Sequence, residues 1–180
     1  MESIKIGKAE LKLIQGDITQ QQTEAIANAA NSSLMGGGGV DGAIHRAGGA
    51  IILEECKKIV ARQGCLPTGE AVITTACAMP SKYVIHTVGP VWHGGDKNEA
   101  ELLSNCYRNS LTLAKEKGIK TISFPSISTG VYSYPTDQAA QVALQAVSDF
   151  LKVEESFVQV VFVLYDNRTY ESYVEALRRL

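Results

Sequence analysis

Short apolar runs rich in β-branched residues alternate along this chain with stretches whose apolar residues recur at helical spacing. Leu11-Lys12-Leu13-Ile14 alternates as a half-buried strand does. Ala25-Ile26-Ala27, Ala71-Val72-Ile73-Thr74, Tyr83 to Val88 and Thr121-Ile122-Ser123-Phe124 read as further short strands. Phe157 to Leu164 contains the unbroken run Val160-Val161-Phe162-Val163-Leu164, the pattern of a strand covered on both faces. Between them, Ile52, Cys56, Ile59 and Val60 share a helix face that stops near Gly64, a suitable C-cap. Asn98 and Glu101 have the spacing of a capping box, and Leu102, Cys106, Ser110 and Leu113 continue that helix. Pro135 suits the first turn of a helix with the stripe Ala139, Val142, Ala143, Ala146, Val147 and Phe150. Tyr170, Tyr173, Val174 and Leu177 make a last amphipathic helix. Strands alternating with helices imply an α/β sandwich around a mixed, largely parallel sheet.

Ligands of such sheets bind in the crevice at the carboxyl ends of the strands. Polar or glycine-rich segments follow the predicted strands at Gly16-Asp17-Ile18-Thr19, Asn28 to Gly39, Gly89-Pro90, Ser126 to Tyr132 and Tyr165-Asp166-Asn167. If these strands run the same way, the segments gather on one rim. The strongest local feature is Gly36-Gly37-Gly38-Gly39 followed by Val40-Asp41-Gly42-Ala43-Ile44-His45. Glycines let a backbone approach a ligand, and the amides at the following helix start bind an anion without Lys or Arg. Ser126-Ile127-Ser128-Thr129-Gly130-Val131-Tyr132 is a second segment able to aim amides at phosphate oxygens, or else an ordinary turn. Gly37, Gly39 and Gly42 satisfy G-x-G-x-x-G, but the motif stands too far from its strand for a dinucleotide fingerprint, and no G-K-[ST] follows.

Single residues leave two readings each. Asp17 can accept from the exocyclic amine of a base or cap the turn that starts at Thr19. Asn28 and Asn31 can orient ribose hydroxyls or a water, or stabilise a turn. Asp41 suits a helix start electrostatically, and His45 four residues on packs or pairs with it. His86, inside an apolar strand, reads as a satisfied core histidine.

Composition removes several function classes. The chain has 180 residues, 45% hydrophobic and 20% charged, with a formal net charge of −2. One domain over residues 1–180 is expected, without the basic face that a general grip on nucleic acid requires. No apolar run approaches the ~18 residues of a membrane helix. The start, Met1-Glu2-Ser3-Ile4-Lys5, lacks a secretory layout, and Cys56, Cys65, Cys77 and Cys106 contain no C-x-x-C. These point to a cytoplasmic protein with no metal site and with the cysteines as small buried hydrophobes.

In order and spacing, Gly16-Asp17-Ile18-Thr19, Asn28-Ala29-Ala30-Asn31, Leu34 to His45, His86 to Trp92 and Phe124 to Tyr132 resemble the macrodomain family over essentially the whole chain. The nearest branch is the MacroD-type hydrolases and bacterial O-acetyl-ADP-ribose deacetylases. The resemblance implies a three-layer α/β/α sandwich with ADP-ribose in the crest crevice. It implies that Asp17 binds the adenine amine beside the Ile18 amide. The loops Gly37, Gly38, Gly39, Val40 and Ser128, Thr129, Gly130, Val131, Tyr132 would enclose the diphosphate and distal ribose. Asn31 would position that ribose, Asp41 would orient or activate the attacking water, and Tyr132 would pack over the sugar. Tyr165 and Asn167 match the region that flanks adenine. Asp41 after the glycine loop, in place of paired glutamates, argues against poly(ADP-ribose) chemistry.

The expected function is therefore a monomeric hydrolase, without metal or cofactor, that removes ester-linked groups from ADP-ribose. Its substrates would be O-acetyl-ADP-ribose and Asp- or Glu-linked mono-ADP-ribosylated proteins. The alternatives are a non-catalytic ADP-ribose reader and, on the weak glycine match, an NAD-dependent oxidoreductase.

Overall fold

The computed structural model describes residues Met1–Leu180. Its strands are β1 (Glu2–Ile6), β2 (Ala9–Gln15), β3 (Ala25–Ala30), β4 (Ala71–Thr75), β5 (Tyr83–Val88), β6 (Thr121–Phe124) and β7 (Gln159–Leu164). Its helices are α1 (Gly39–Gly48), α2 (Ala50–Gln63), α3 (Glu99–Glu116), α4 (Thr136–Val153) and α5 (Asn167–Arg178). The strands form one 7-stranded sheet in the order β1-β2-β7-β6-β3-β5-β4. The run β2, β7, β6, β3, β5 is parallel, and only the edges β1 and β4 run against it. No helix is long and apolar enough to cross a membrane.

Period-two alternation divides the core into two layers. Leu11, Leu13, Ala25, Ala27, Ile122, Phe124, Val160 and Phe162 face α3, α4 and α5 in a cluster of 32 buried residues. Ile26, Ala30, Val84, Val88, Val161 and Val163 face α1 and α2 in a cluster of 15. This is the expected three-layer sandwich, and α4 and α5 begin close to Pro135 and Asn167 as the periodicity predicts. Gly64 caps α2 with φ 83°.

Several local expectations are corrected. The strand predicted at Ala25–Ala27 continues to Ala30, so Asn28 lies within it. Strand β1 had no counterpart in the sequence reading. Cys56 and Cys106 are buried, but Cys65 and Cys77 are exposed in loops. The buried face of α3 centres on Leu103, Tyr107 and Leu111, with Leu102 and Leu113 at its margins.

The capping box also fails. Asn98 adopts a left-handed φ of 63° and its side chain caps nothing. Instead the buried carboxyl of Glu99 reaches back and accepts from the backbone N–H of His93 (2.9 Å), Gly95 (2.9 Å) and Lys97 (2.6 Å). Burial alone would raise this carboxyl, but the backbone donors override it and hold it down to about 2. A depressed native value stabilises the fold above the ordinary 4.5 of a glutamate, and that contribution disappears as pH falls toward 2. Glu99→Gln should therefore be less stable than the parent at pH 7, with the gap narrowing at pH 3 in urea unfolding. A gap that stays constant between the two pH values would remove Glu99 as the source.

Candidate functional site

Parallel pairing settles where the polar segments go. Gln15 stands beside Leu164, and Ala30 beside Val88, so the chain leaves β2, β7, β6, β3 and β5 on one edge of the sheet. Asp17, Asn31 to Gly38, Gly89, Ser126 to Tyr132 and Tyr165 all lie on that rim. The sheet also opens there. Strands β3 and β6 pair only at Ala25–Ile122 and Ile26–Ser123; β6 then ends at Phe124 while β3 continues to Ala30. The two candidate loops grow from the sides of this gap.

On the β3 side, Asn31 holds the glycine loop: its Nδ2 donates to Gly36 O (2.9 Å), and its Oδ1 accepts from Ser33 Oγ (2.7 Å). Gly36 and Gly39 have φ of 90° and 55°, which side chains rarely adopt. The amides of Gly37, Gly38, Gly39, Val40 and Asp41 find no acceptor within the protein, and the first bond of this turn is Gly42 N–H to Gly38 O. Free N–H groups at a helix head are able to take an anion.

On the β6 side, the loop is braced from the core beneath it. Tyr173 Oη donates to Ser126 Oγ (3.1 Å), which lies 2.8 Å from Thr129 Oγ1, and Ile127 N–H donates to Tyr107 Oη (3.4 Å). Both tyrosines belong to the buried aromatic cluster with Phe124 and Phe162. Ser128 takes a left-handed φ of 68° and packs on Gly89, where an added Cβ would fall 2.1 Å from Ser128 Oγ. Because β5 flanks β3, this contact carries the loop across the end of β3. The amides of Ser128, Thr129, Gly130, Val131 and Tyr132 have no acceptor in the protein. Val131 is 95% exposed at the loop tip, and Tyr132 O accepts from Trp92 N–H (2.8 Å).

Asp41, in the first turn of α1, is 5% exposed. Its Oδ1 accepts from Asn28 Nδ2 (2.8 Å) and lies 3.4 Å from His45 Nε2. Its Oδ2 points to Gly37, where an added Cβ would meet it at 3.2 Å and Asn31 Nδ2 at 3.4 Å. One oxygen is anchored and the other faces the glycine loop beside Asn31. Asn28 departs from expectation: it is wholly buried, with its N–H2 committed to Asp41 and to His86 Nδ1 (3.1 Å). It reaches the rim only through Asp41.

For Asp17 the capping reading holds, and it leaves one carboxylate oxygen free. Its Oδ1 caps the turn Ile18–Gln20, accepting from Thr19 N–H (2.9 Å) and Thr19 Oγ1 (2.7 Å), while Oδ2 makes no hydrogen bond and the residue is exposed. Ile18 is buried beneath it, with its amide unpaired. Tyr165 is 83% exposed at the end of β7, and Asn167 opens α5 just after Asp166, which caps that helix. His86 is the core residue that its apolar strand predicts, and it is also tied to Asp41 through Asn28; the β3–β5 register, which sets Asn28 opposite His86, carries that signal.

Comparison with known proteins agrees with this fold. Residues 27–143 match the family model described as Macro domain. A Salmonella typhimurium protein named O-acetyl-ADP-ribose deacetylase is 56% identical, over 94% of this chain and 94% of its own. The solved Oceanobacillus iheyensis macrodomain with ADP is 46% identical, with a TM-score of 0.95 over 99% of this chain and 95% of that one. A Trypanosoma brucei macrodomain in complex with ADP-ribose is 38% identical, with a TM-score of 0.85 over 93% of this chain and 68% of that one.

Proposed function

We propose, from the premise that this chain belongs to the Macro domain family, that it binds ADP-ribose and hydrolyses esters on the distal ribose. The observation that carries the reading is the pairing of two sets of unpaired backbone amides with a carboxyl group held by one oxygen only. Amides of Gly37 to Val40 and of Ser128 to Tyr132 take the diphosphate oxygens with no cation, which suits a chain of net charge −2. Asp17 Oδ2 accepts from the adenine amine beside the Ile18 amide, and Tyr165 and Asn167 flank the base. Asn31 positions the distal ribose and Tyr132 packs on it.

Asp41 Oδ2 orients a water and takes its proton as the water oxygen attacks the ester carbonyl carbon. The tetrahedral intermediate collapses by breaking the acyl–oxygen bond to the ribose. That oxygen regains a proton, and acetate and ADP-ribose leave. An Asp- or Glu-linked ADP-ribosyl protein presents the same bond, so the same steps free the protein carboxylate. In this reading residues 1–180 act as one cytoplasmic, monomeric macrodomain without a cofactor.

The test is to incubate the purified protein with O-acetyl-ADP-ribose, and in parallel with a glutamate-linked mono-ADP-ribosylated protein, following acetate and ADP-ribose release. Catalytic release of acetate is expected. Tight calorimetric binding of ADP-ribose with no turnover of either substrate would instead make the protein a reader.

A further inference from the structure

Across adjacent strands β3, β5 and β4 runs a polar row inside an otherwise apolar layer. Asn28, His86 and Thr74 are all buried and lie on the face covered by α1 and α2. Asn28 and His86 are register partners, and Thr74 follows on the outer strand. His86 Nε2 lies 2.8 Å from Thr74 Oγ1, and Thr74 Oγ1 donates onward to Thr75 O (3.1 Å). At the other end, Asn28 Nδ2 meets both His86 Nδ1 and Asp41 Oδ1.

The direction of every bond in this row follows from its ends. The Asp41 carboxylate only accepts, so the Asn28 N–H2 must face it. The same nitrogen then donates to His86 Nδ1, which must be a bare acceptor, so the ring proton sits on Nε2 and points to Thr74. Thr74 has given its own proton to Thr75 O and is free to accept. Burial, with a smaller push from the His45 ring, lowers the imidazole to about 3, so the ring stays neutral. The cost of the arrangement is visible: Asn28 Oδ1 is buried without any partner. An amide rotated to satisfy that oxygen elsewhere would turn it toward the Asp41 carboxylate.

We propose that His86 is a positioning residue for the hydrolysis: as a neutral acceptor it fixes the orientation of the Asn28 amide, which in turn aims Asp41 at the glycine loop. This rests on the hydrolytic reading above. A histidine is needed because one ring must accept on the Asp41 side and donate on the Thr74 side. His86 touches no part of the crevice itself, so its effect belongs to turnover and not to ligand affinity.

The experiment compares the parent with His86→Leu and His86→Asn, and runs Asp41→Ala alongside. His86→Leu removes the acceptor, and kcat for acetate release should fall about tenfold or more, with KM and the calorimetric Kd for ADP-ribose unchanged. His86→Asn can present an acceptor at the Nδ1 position and should recover part of that loss. Nitrogen NMR of the parent should show a neutral His86 ring protonated on Nε2 at pH 7. A folded His86→Leu with the parental kcat, or a ring protonated on Nδ1, overturns the inference. Should His86→Leu fail to fold, the tautomer and the His86→Asn kinetics decide. If the parent itself releases no acetate, the hydrolytic reading fails, and if Asp41→Ala keeps the parental kcat, the role of Asp41 as the base fails; both outcomes are separate from any result at His86.

Discussion

Replacing Asp41 by alanine should lower the rate of acetate release about a hundredfold or more, the usual scale for a lost general base. Binding of ADP-ribose should remain close to that of the parent. The expectation comes from how the carboxyl is held. Asn28 and His45 occupy the Oδ1 side, so Oδ2 has a fixed direction toward Gly37 and Asn31. In the proposed reading alanine removes the acceptor for the water's proton but leaves in place the amides of Gly37 to Val40, to which that reading gives the affinity. Asn28 keeps its bond to His86, so the row beneath α1 loses one contact and not its frame. Asn31→Ala would be a poorer probe, since Asn31 also anchors Gly36 O and its loss would move the loop. Parallel measurements of kcat, Kd and Tm separate these effects. Unchanged deacetylation in a folded Asp41→Ala protein would end the assigned role.

The layers and the rim were legible in the sequence because they depend on periodicity and on where polar segments follow apolar runs. The run Val160 to Leu164 is apolar on both faces, and β7 indeed lies covered on both. β3 was harder. Ala25-Ile26-Ala27-Asn28-Ala29-Ala30 is poor in β-branched residues and contains an asparagine, so propensity ends the strand too early. Its place between β5 and β6 overrides propensity. That error hid the central fact about Asn28. Once the strand is extended, alternation sets Asn28 on the same face as Ile26 and Ala30, under α1 and beside Asp41. β1 went unread because an edge strand buries little, and only Ile6 of its residues is buried. Glu99 left no local trace either: a carboxyl that reaches back to amides of the preceding loop has no spacing of its own. The glycine loop and Asp41 were readable as candidates because glycine clusters and a helix-start acid are local; the free direction of Oδ2 was not, since strands far apart in sequence set it.

Gly42→Ala should weaken ADP-ribose binding by about 1–3 kcal/mol, the usual cost of overpacking, or roughly five- to 150-fold. The backbone of Gly42 is ordinary helix, so conformational freedom is not the reason. A Cβ there would lie 2.6 Å from Gly37 O and 3.0 Å from Arg46 Nη1. The long side chain can swing aside, but the carbonyl belongs to the glycine loop and can yield only by moving it. Thermal stability should fall together with affinity. Gly38→Ala supplies the contrast. Gly38 is extended, with φ −93° and ψ −169°, and an added Cβ meets nothing within 4 Å. The variant should therefore keep the parental Tm. If the open space beside Gly38 is where a diphosphate lies, the methyl group should still lower affinity, because it stands where the phosphate must approach the amides. Reduced binding at unchanged Tm for Gly38→Ala, beside joint losses for Gly42→Ala, would assign the ligand to this loop. Parental affinity for Gly38→Ala would place the diphosphate elsewhere on the rim and leave Gly42 a packing residue only.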